Sequence, residues 1–156
     1  MMHRMNPTIY ANIDGTGAGG GWEASEMRTY LKETIKPMLP SEVQNAIVEV
    51  KKYSSYVTSS AVRVSNYQTI DDLWIPSARE FLSDANVEQF KESSGPVYYD
   101  ASNIFRDKYN SSTYNNVDWY TRTAYDLGRF AHFNTSGSIS ATDVTNSRGV
   151  ILGFCT

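Results

Sequence analysis

The stretch GVILGFCT, residues Gly149 to Thr156, closes the chain and decides how its fold is interpreted. It is mostly apolar and β-prone, whereas the ends of most domains are polar and frayed. Val150, Leu152 and Phe154 alternate along it, which predicts a final strand with one buried face. Cys155 follows in the same apolar run and is interpreted as a small core residue. The segment is therefore expected to complete a sheet, and deletion of its last five residues is expected to unfold the domain.

Two further β-like runs precede this stretch. They are VDWYTRTAY, residues 117–125, and RFAHFNTSGSIS, residues 129–140, which contains the hairpin-like turn NTSG. The chain before them carries helical patterns, so helices come first and strands follow. This order favours an α+β fold over a repeating β-α-β arrangement. We expect two N-terminal helices that pack on a small, mostly antiparallel twisted sheet with long loops, the final strand lying at the C-terminus.

The first predicted helix is WEASEMRTYLKETIKPML, residues 22–39, and prolines follow it. Its apolar residues recur every three to four positions and predict one buried face: Met27, Tyr30, Leu31, Ile35 and Met38. A second helix is predicted from Ser41, which forms a capping box with Gln44. Its predicted buried stripe is Val43, Ile47 and Val50.

The remaining segments allow only coarser predictions of secondary structure. VTSSAVRVSNY is β-rich, and DDLWIPSAREF predicts a short strand at residues 73–75 followed by a helical turn. Residues 84–116 are polar and irregular, which predicts a long surface excursion. Residues 1–21 are expected to form an N-terminal strand, residues 8–13, and a glycine-rich loop. Residues 22–156 are expected to form a single domain.

Composition excludes several functional classes. The net charge is −3 and no basic run occurs, which argues against an extended nucleic-acid footprint. A single cysteine excludes an intrachain disulfide and a multi-cysteine metal site. The N-terminal residues lack the apolar core of a signal peptide, and the chain has no 18-residue apolar stretch. Eleven tyrosines suit either a recognition surface or half-buried strands.

The candidate catalytic motifs are better explained by structure. GTGAGG, residues 15–20, matches the spacing of a dinucleotide loop, but the preceding strand is interrupted by polar residues and Asp14 would face the phosphates. A flexible loop is the preferred interpretation. Cys155 would need a base beside it, and the histidines are His3 and His132. Residues 115–119, NNVDW, offer oxygen ligands for calcium, although such clusters are more often turns. No active site is predicted, and no cofactor or metal.

The C-terminal segment has an unusual composition. Residues 120–156 contain no Lys, Glu, Gln, Met or Trp, although these types supply 25 of the first 119 residues. Strands deplete Lys and Glu, which explains part of the difference. Every residue type that is present can be reached from an asparagine codon by changes at its adenines, and none of the five missing types can.

Four pieces of the sequence together resemble a known family: GGGWEASEMRTYL, LPSEVQNAIVEVKK, DDLWIPSAREF and the segment from WYTRTA to the C-terminal SRGVILGFCT. The chain resembles domains of unknown function that occur in gut Firmicutes and their phages, often in surface or tail proteins. The likeness covers about residues 5–156. Its most specific parts are GGW-x-x-S-x-MR, residues 20–28, and G-V-x-x-G-F-C, residues 149–155.

That family is in turn similar to the C-type-lectin-like fold of formylglycine-generating enzymes and retroelement-diversified variable proteins. WIPSAREF, residues 74–81, is similar to a strand-to-helix element of that group. GFC stands where the group usually ends with GFR. Formylglycine-generating enzymes use a pair of cysteines, so the single Cys155 excludes that activity. The resemblance then implies a scaffold whose C-terminal strands carry a variable binding face.

We therefore expect a non-enzymatic ligand-binding module of a phage tail or bacterial surface protein, which binds a cell-surface protein or glycan through residues 119–148. It is expected to bind no nucleic acid and to enter no membrane. The candidate ligand-binding residues are Tyr120, Arg122, Tyr125, Asp126, Arg129, His132, Asn134 and Asn146. The alternative is a structural or assembly domain of a particle or surface protein, which contacts other chains and has no ligand of its own.

Overall fold

Helices lie at the N-terminal end of the chain and strands at the C-terminal end, so the α+β class is confirmed. The structure, a computed structural model, describes residues 2–5, 20–58, 63–81, 118–134 and 138–156. The predicted strand at residues 8–13, most of the glycine-rich loop and the predicted excursion at 84–116 lie outside these ranges. The proposed division at residue 21 therefore stays a prediction. None of the described helices is long and apolar enough to cross a membrane.

The elements form two sheets. In chain order they are β1 (Met2–His3), α1 (Glu26–Tyr30), a π-helical turn (Leu31–Ile35), a 3-10 turn (Lys36–Met38), α2 (Ser41–Ala46), β2 (Val50–Val57), β3 (Arg63–Asp71), β4 (Trp119–Ala124), β5 (Arg129–Phe133), β6 (Ile139–Asp143) and β7 (Arg148–Gly149). The larger sheet has the order β1-β7-β4-β5-β6, and β2 pairs with β3 in a separate hairpin. All pairs are antiparallel except β4 with β7.

The C-terminal segment joins these parts, as the sequence predicts. Gly149 pairs with β1 on one side and with β4 on the other. Gly153 then forms a two-hydrogen-bond bridge with Trp74, with N···O distances of 2.8 and 3.1 Å. Finally, Val48 N–H donates to the carbonyl oxygen of Cys155 at 3.0 Å. One short segment therefore contacts the N-terminal strand β1, the strand β4 and the residues that flank the β2–β3 hairpin.

The predicted burial of this segment is only partly correct. Val150 is buried and Leu152 is half-buried, but the Phe154 side chain is 43% exposed and Cys155 is exposed as a free thiol. The interpretation of Cys155 as a core residue is therefore wrong. After Gly149 the segment makes single bridges rather than one continuous strand, so its alternation does not keep one face against the core.

The first helix is confirmed and extends over residues 26–38. Ser25 caps it, because its hydroxyl accepts a hydrogen bond from the amide of Arg28 at 3.2 Å. Met27, Leu31 and Ile35 are buried at intervals of four residues. Met38 is 75% exposed, contrary to the prediction, because the chain tightens into a 3-10 turn at Lys36 and this change rotates later side chains off the buried face.

The second helix is much shorter than predicted. It ends at Ala46, and Ile47 is already extended, because residues from Val50 onward pair with β3 along a long hairpin. The capping box is wrong as well. The Gln44 side-chain amide donates to the carbonyl oxygen of Leu39 at 2.7 Å and so supports the turn between the helices.

The main core lies between the helical segment, the base of the β2–β3 hairpin and one face of the larger sheet. Its largest fully buried members are Trp22, Tyr120, Phe130, Met5, Met27, Leu31, Leu73 and Ile75. A smaller aromatic cluster joins Phe81, Trp119 and Phe133, and the last two rings stack with centroids 4.6 Å apart. The predicted turn before Phe81 is confirmed, but the predicted strand at residues 73–75 is reduced to a single bridge at Trp74.

Candidate ligand-binding site

The structure divides the eight predicted binding residues into three groups. Tyr120 and Arg122 are buried. Tyr125, Asp126, Arg129 and Asn146 lie near one end of β5. His132 lies within β5, and Asn134 lies at its other end. The eight side chains therefore do not share one face, and only part of the set is accessible to a ligand.

Tyr120 is a core residue and has no exposed surface. Its hydroxyl donates toward two backbone carbonyl oxygens, those of Asp143 at 2.7 Å and Asn146 at 2.8 Å. Burial raises the pKa of this phenol above its ordinary value, with a minor contribution from nearby Asp143. The side chain thus ties β4 to the turn after β6 and cannot anchor a ligand without unfolding that turn.

Arg122 is also wrongly placed on the binding face by the sequence analysis, since its side chain is 2% exposed. It donates to Glu80 through both terminal nitrogens, at 2.9 and 2.8 Å. It also donates to the carbonyl oxygens of Ile75 at 2.8 Å and Tyr53 at 3.0 Å. A guanidinium is suited to this role because its planar fork carries five donors. Arg122 therefore joins β4, the β2–β3 hairpin and the turn after Trp74.

Glu80 is the partner that makes this burial possible. It accepts from Arg122, from the amide of Ser77 at 2.9 Å and from Lys52 Nζ at 3.3 Å. Burial by itself would raise the pKa of Glu80, but Arg122, Lys52 and the Ser77 amide together lower it. Lys52 Nζ also lies 3.9 Å from the centre of a Trp74 ring. The residues of the WIPSAREF motif are thus structural.

Tyr125, Asp126 and Arg129 come together at the β4–β5 turn. The Arg129 guanidinium donates to Asp126 through Nε at 2.7 Å and approaches the same carboxylate oxygen through Nη2 at 2.5 Å. Its Cζ also lies 4.9 Å from the centre of the Tyr125 ring. The side chains of Arg129 and Asp126 are 45% and 38% exposed. The hydrogen bond to Asp126 raises the pKa of Arg129.

The backbone holds this group in one conformation. Tyr125 and Asp126 amides both donate to the Arg129 carbonyl oxygen, at 2.9 and 3.3 Å, and the Gly128 amide donates to Asp126 Oδ1 at 3.0 Å. The amide of Val144 reaches the Gly128 carbonyl oxygen at 3.2 Å, which connects the turn to the end of β6. We call residues 125–129 the tip.

Asn146 lies beside the tip, in the turn between β6 and β7, and it is exposed. Its side-chain amide donates to Thr142 Oγ1 at 2.9 Å. Two residues that the sequence analysis missed belong to the same region. They are Leu127, a half-exposed apolar residue within the tip, and Asp143, which pairs with Arg129 across the strands. The YDLGR turn between two β-like runs was the signal for Leu127.

His132 and Asn134 do not join the tip. His132 is buried, with Nε2 3.5 Å from Asp118 Oδ2, and its Nδ1 has no hydrogen-bond partner among the described residues. Burial lowers the pKa of His132, Asp118 opposes that shift, and Arg148 adds to it. Asn134 stands at the far end of β5, where its side chain accepts from the Ser138 amide at 3.0 Å. His132 therefore contacts the residue before β4, and Asn134 contacts the residue before β6, so both make structural contacts away from the tip.

The GGW-x-x-S-x-MR motif is far from the tip in the sequence and connects the first helix to β3. Gly20 and Gly21 have positive φ angles of 78° and 58°, and Trp22 is buried. Trp22 Nε1 donates to Asp71 Oδ2 at 3.0 Å, and Arg28 Nε contacts the other oxygen at 2.5 Å. The motif thus fastens the first helix to the end of β3.

A shallow groove of about 90 Å³ lies between that helix and the base of the hairpin. Its walls carry charges of both signs, and the residues that line it include none from the tip. Within the ranges that the structure describes, no three His, Cys, Asp or Glu residues come together as metal ligands.

The fold and these motifs define an α+β domain with a mixed five-stranded sheet, a separate hairpin and a buried ionic centre. A family model, Domain of unknown function (DUF6273), matches residues 10–155, so the chain belongs to this family. No curated protein and no solved structure matches the chain.

Proposed function

We propose that the domain is a non-enzymatic ligand-binding module of a phage tail or bacterial surface protein, built on a C-type-lectin-like scaffold. The observation that carries the proposal is the tip, in which Tyr125, Asp126 and Arg129 are exposed in part yet fixed by a dense set of hydrogen bonds. Tyrosine and arginine dominate the binding energy of many recognition surfaces. A fixed loop also loses little conformational entropy when it binds.

The scaffold supports this proposal in two ways. The N-terminal strand β1 pairs with β7 near the C-terminus, so the sheet that carries the tip is closed by both ends of the chain. In the part of the chain that the structure describes, buried ionic groups such as Arg122 and Glu80 hold elements together. A rigid interior with a small polar tip fits a binding protein better than it fits a catalyst, which needs convergent titratable groups in a pocket.

The composition of residues 120–156 supports diversification of the tip. Tyr, Asp, Gly and Arg at the tip are all types that adenine-directed changes of asparagine codons can produce, and the five missing types are not. In this proposal, the fixed residues Tyr120 and Arg122 hold the sheet while Tyr125, Asp126, Arg129 and Asn146 vary. Sequencing related isolates tests this part: substitutions should concentrate at the exposed positions. Substitutions spread evenly along the chain would contradict it.

Binding itself is tested with a fluorescently labelled domain on a panel of Gram-positive gut bacterial cells and on a glycan array. We expect saturable binding that the double variant Tyr125→Ala, Arg129→Ala reduces at least tenfold. Lys51→Ala is the matched control, because it removes an exposed cation on β2 and should leave binding unchanged. Equal loss in both variants, or no saturable binding to any surface, would refute the proposal.

A second function, assembly with neighbouring chains, is favoured by a different surface. Phe154 is 43% exposed and Val48 is 49% exposed, and the backbone bridge between Val48 and Cys155 brings their two segments together. Exposed large apolar side chains on adjoining segments are candidates for a contact surface. Analytical ultracentrifugation distinguishes the functions: a stable oligomer that Phe154→Ser dissociates supports assembly, and a monomer over a wide concentration range contradicts it.

A further inference from the structure

The tip contains an apolar side chain that the binding proposal has not used. Leu127 lies between Asp126 and Gly128, is half-exposed, and belongs to none of the three apolar clusters of the described residues. A leucine at a turn outside the core leaves apolar surface in contact with water, and covering that surface with a partner is favourable. Leu127 therefore has the position of a contact residue.

The space around the tip is open on the side of Gly128. A methyl group built on its Cα would meet no other atom within 4 Å. The turn is thus convex at this point, with Leu127 beside its open side and Arg129 following it. Sites for small molecules are usually concave and bury most of the ligand. A convex turn that carries Tyr, Leu and Arg instead fits into a cleft on a larger partner.

The charges at the tip refine the class of partner. Asp126 compensates the charge of Arg129 through two of its nitrogens, Nε and Nη2. Nη1 has no partner among the described residues, so it remains a donor at the edge of the turn. A matching cleft would be apolar at its base, to receive Leu127, and would carry carbonyl or carboxylate oxygens at its rim. Because Asp126 neutralises the charge of Arg129, the tip is not expected to attract a partner over a long distance.

We propose that the partner is a protein, and that Leu127 inserts into an apolar cleft on its surface while Arg129 donates to oxygens at the rim. This inference rests on the proposed function and deepens it, since it names the class of ligand for the same site. In this proposal Leu127 makes the largest apolar contribution to binding, although it is not one of the eight residues predicted from the sequence. Because part of the Leu127 side chain is already covered, burial of the remainder is expected to strengthen binding about tenfold.

The test uses the full chain and cells that bind it. One sample of cells is treated with proteinase K and a second with periodate, which cleaves the vicinal diols of surface glycans. We expect protease to abolish binding and periodate to change it less than twofold. Binding that survives protease but disappears after periodate would overturn this inference while leaving the binding function intact. Absence of binding to untreated cells would instead refute the proposed function.

The role of Leu127 has its own test. Leu127→Ala should weaken binding at least tenfold, and Leu127→Met should retain most of it, because methionine has a similar volume. Ile70→Ala is the matched control, since Ile70 is also exposed, at 61%, but lies on β3 and away from the tip. Thermal melting checks that each variant folds. Equal binding by Leu127→Ala and the unmodified chain would overturn the assignment of Leu127.

Discussion

The backbone of Gly153 lies directly against the indole ring of Trp74. A Cβ atom at position 153 would stand 2.4 Å from Trp74 Nε1 and 2.7 Å from Cε2. The same two residues exchange backbone hydrogen bonds, so neither can move away without breaking the bridge. The second glycine of the terminal G-V-x-x-G-F-C motif is therefore required by packing, and this contact closes the fold.

Gly153→Ala should destabilise the domain by about 1–3 kcal/mol, the usual cost of forcing an extra carbon into a well-packed site. Urea unfolding followed by tryptophan fluorescence measures the change. Gly128→Ala is the control: a Cβ there meets nothing within 4 Å, and its backbone is not in the left-handed region, so stability should change by less than about 1 kcal/mol. Equal stability of the two variants would contradict the packing argument.

Arg122→Ala should unfold the domain or cost about 3–5 kcal/mol, because it leaves Glu80 buried without its main counter-charge. Arg129→Ala removes an arginine of the same sheet whose pair is exposed, and should cost less than about 1 kcal/mol. Denaturant titration of both variants separates the two roles. If Arg122→Ala were as stable as Arg129→Ala, the buried centre would not hold the fold together.

Glu80 should contribute to the loss of stability in acid. Its folded pKa is lowered, so its contribution is fully present above the unfolded value of about 4.3 and is lost as the pH falls through the folded pKa. Glu80→Gln should be less stable at pH 7 and should depend less on pH between about 5 and 2. Unfolding free energies measured across that range give both slopes. Parallel curves for the two proteins would rule out this linkage.

His132 should act in a higher pH range. Burial lowers its folded pKa, so its contribution is complete above the unfolded value of about 6.5 and is lost as the pH falls through the folded value. His132→Gln should flatten the decline in stability below pH 6.5, and His3 remains as a common background. NMR titration should place the His132 midpoint below 6.5. A midpoint at or above 6.5 would show that Asp118 outweighs burial.

Deleting residues 152–156 should abolish cooperative unfolding, because it removes the Gly153–Trp74 bridge and the bond from Val48 to Cys155. Deleting Thr156 alone leaves both bridges and should change the melting temperature little. Calorimetry of the two truncated chains compares them directly. A chain shortened by five residues that melts like the full one would show that the fold closes without this segment.

The fold was predictable where one local pattern ran long enough to dominate. The apolar spacing of Met27, Leu31 and Ile35 predicted the first helix, and the β-like run before the turn NTSG predicted β5. The helical spacing of Val43, Ile47 and Val50 gave a wrong prediction, because Val50 lies in the strand β2. There, pairing along the β2–β3 hairpin outweighs a weak helical preference, and such long-range pairing cannot be read from neighbouring residues.

The candidate site was predicted less well, for a related reason. Residue type alone predicted Tyr125, Asp126 and Arg129 as surface side chains. It predicted the same for Tyr120 and Arg122, which are buried. What separates them is the location of Glu80 and of the turn after β6, which only the tertiary structure supplies. An arginine that meets a buried carboxylate forty-two positions away is indistinguishable in sequence from an exposed one.

Cys155 is the only cysteine in the sequence, and its exposed thiol is a single site for chemical labelling. Val48, its bridge partner, precedes the start of β2, whereas Ser55 near the other end of that strand bonds to the Ala124 carbonyl oxygen beside the tip. Residues 50–55 of β2 separate these positions by about 20 Å. A maleimide dye or surface linker attached at Cys155 would therefore leave Leu127 and Arg129 free, and would present every molecule to a partner in the same orientation.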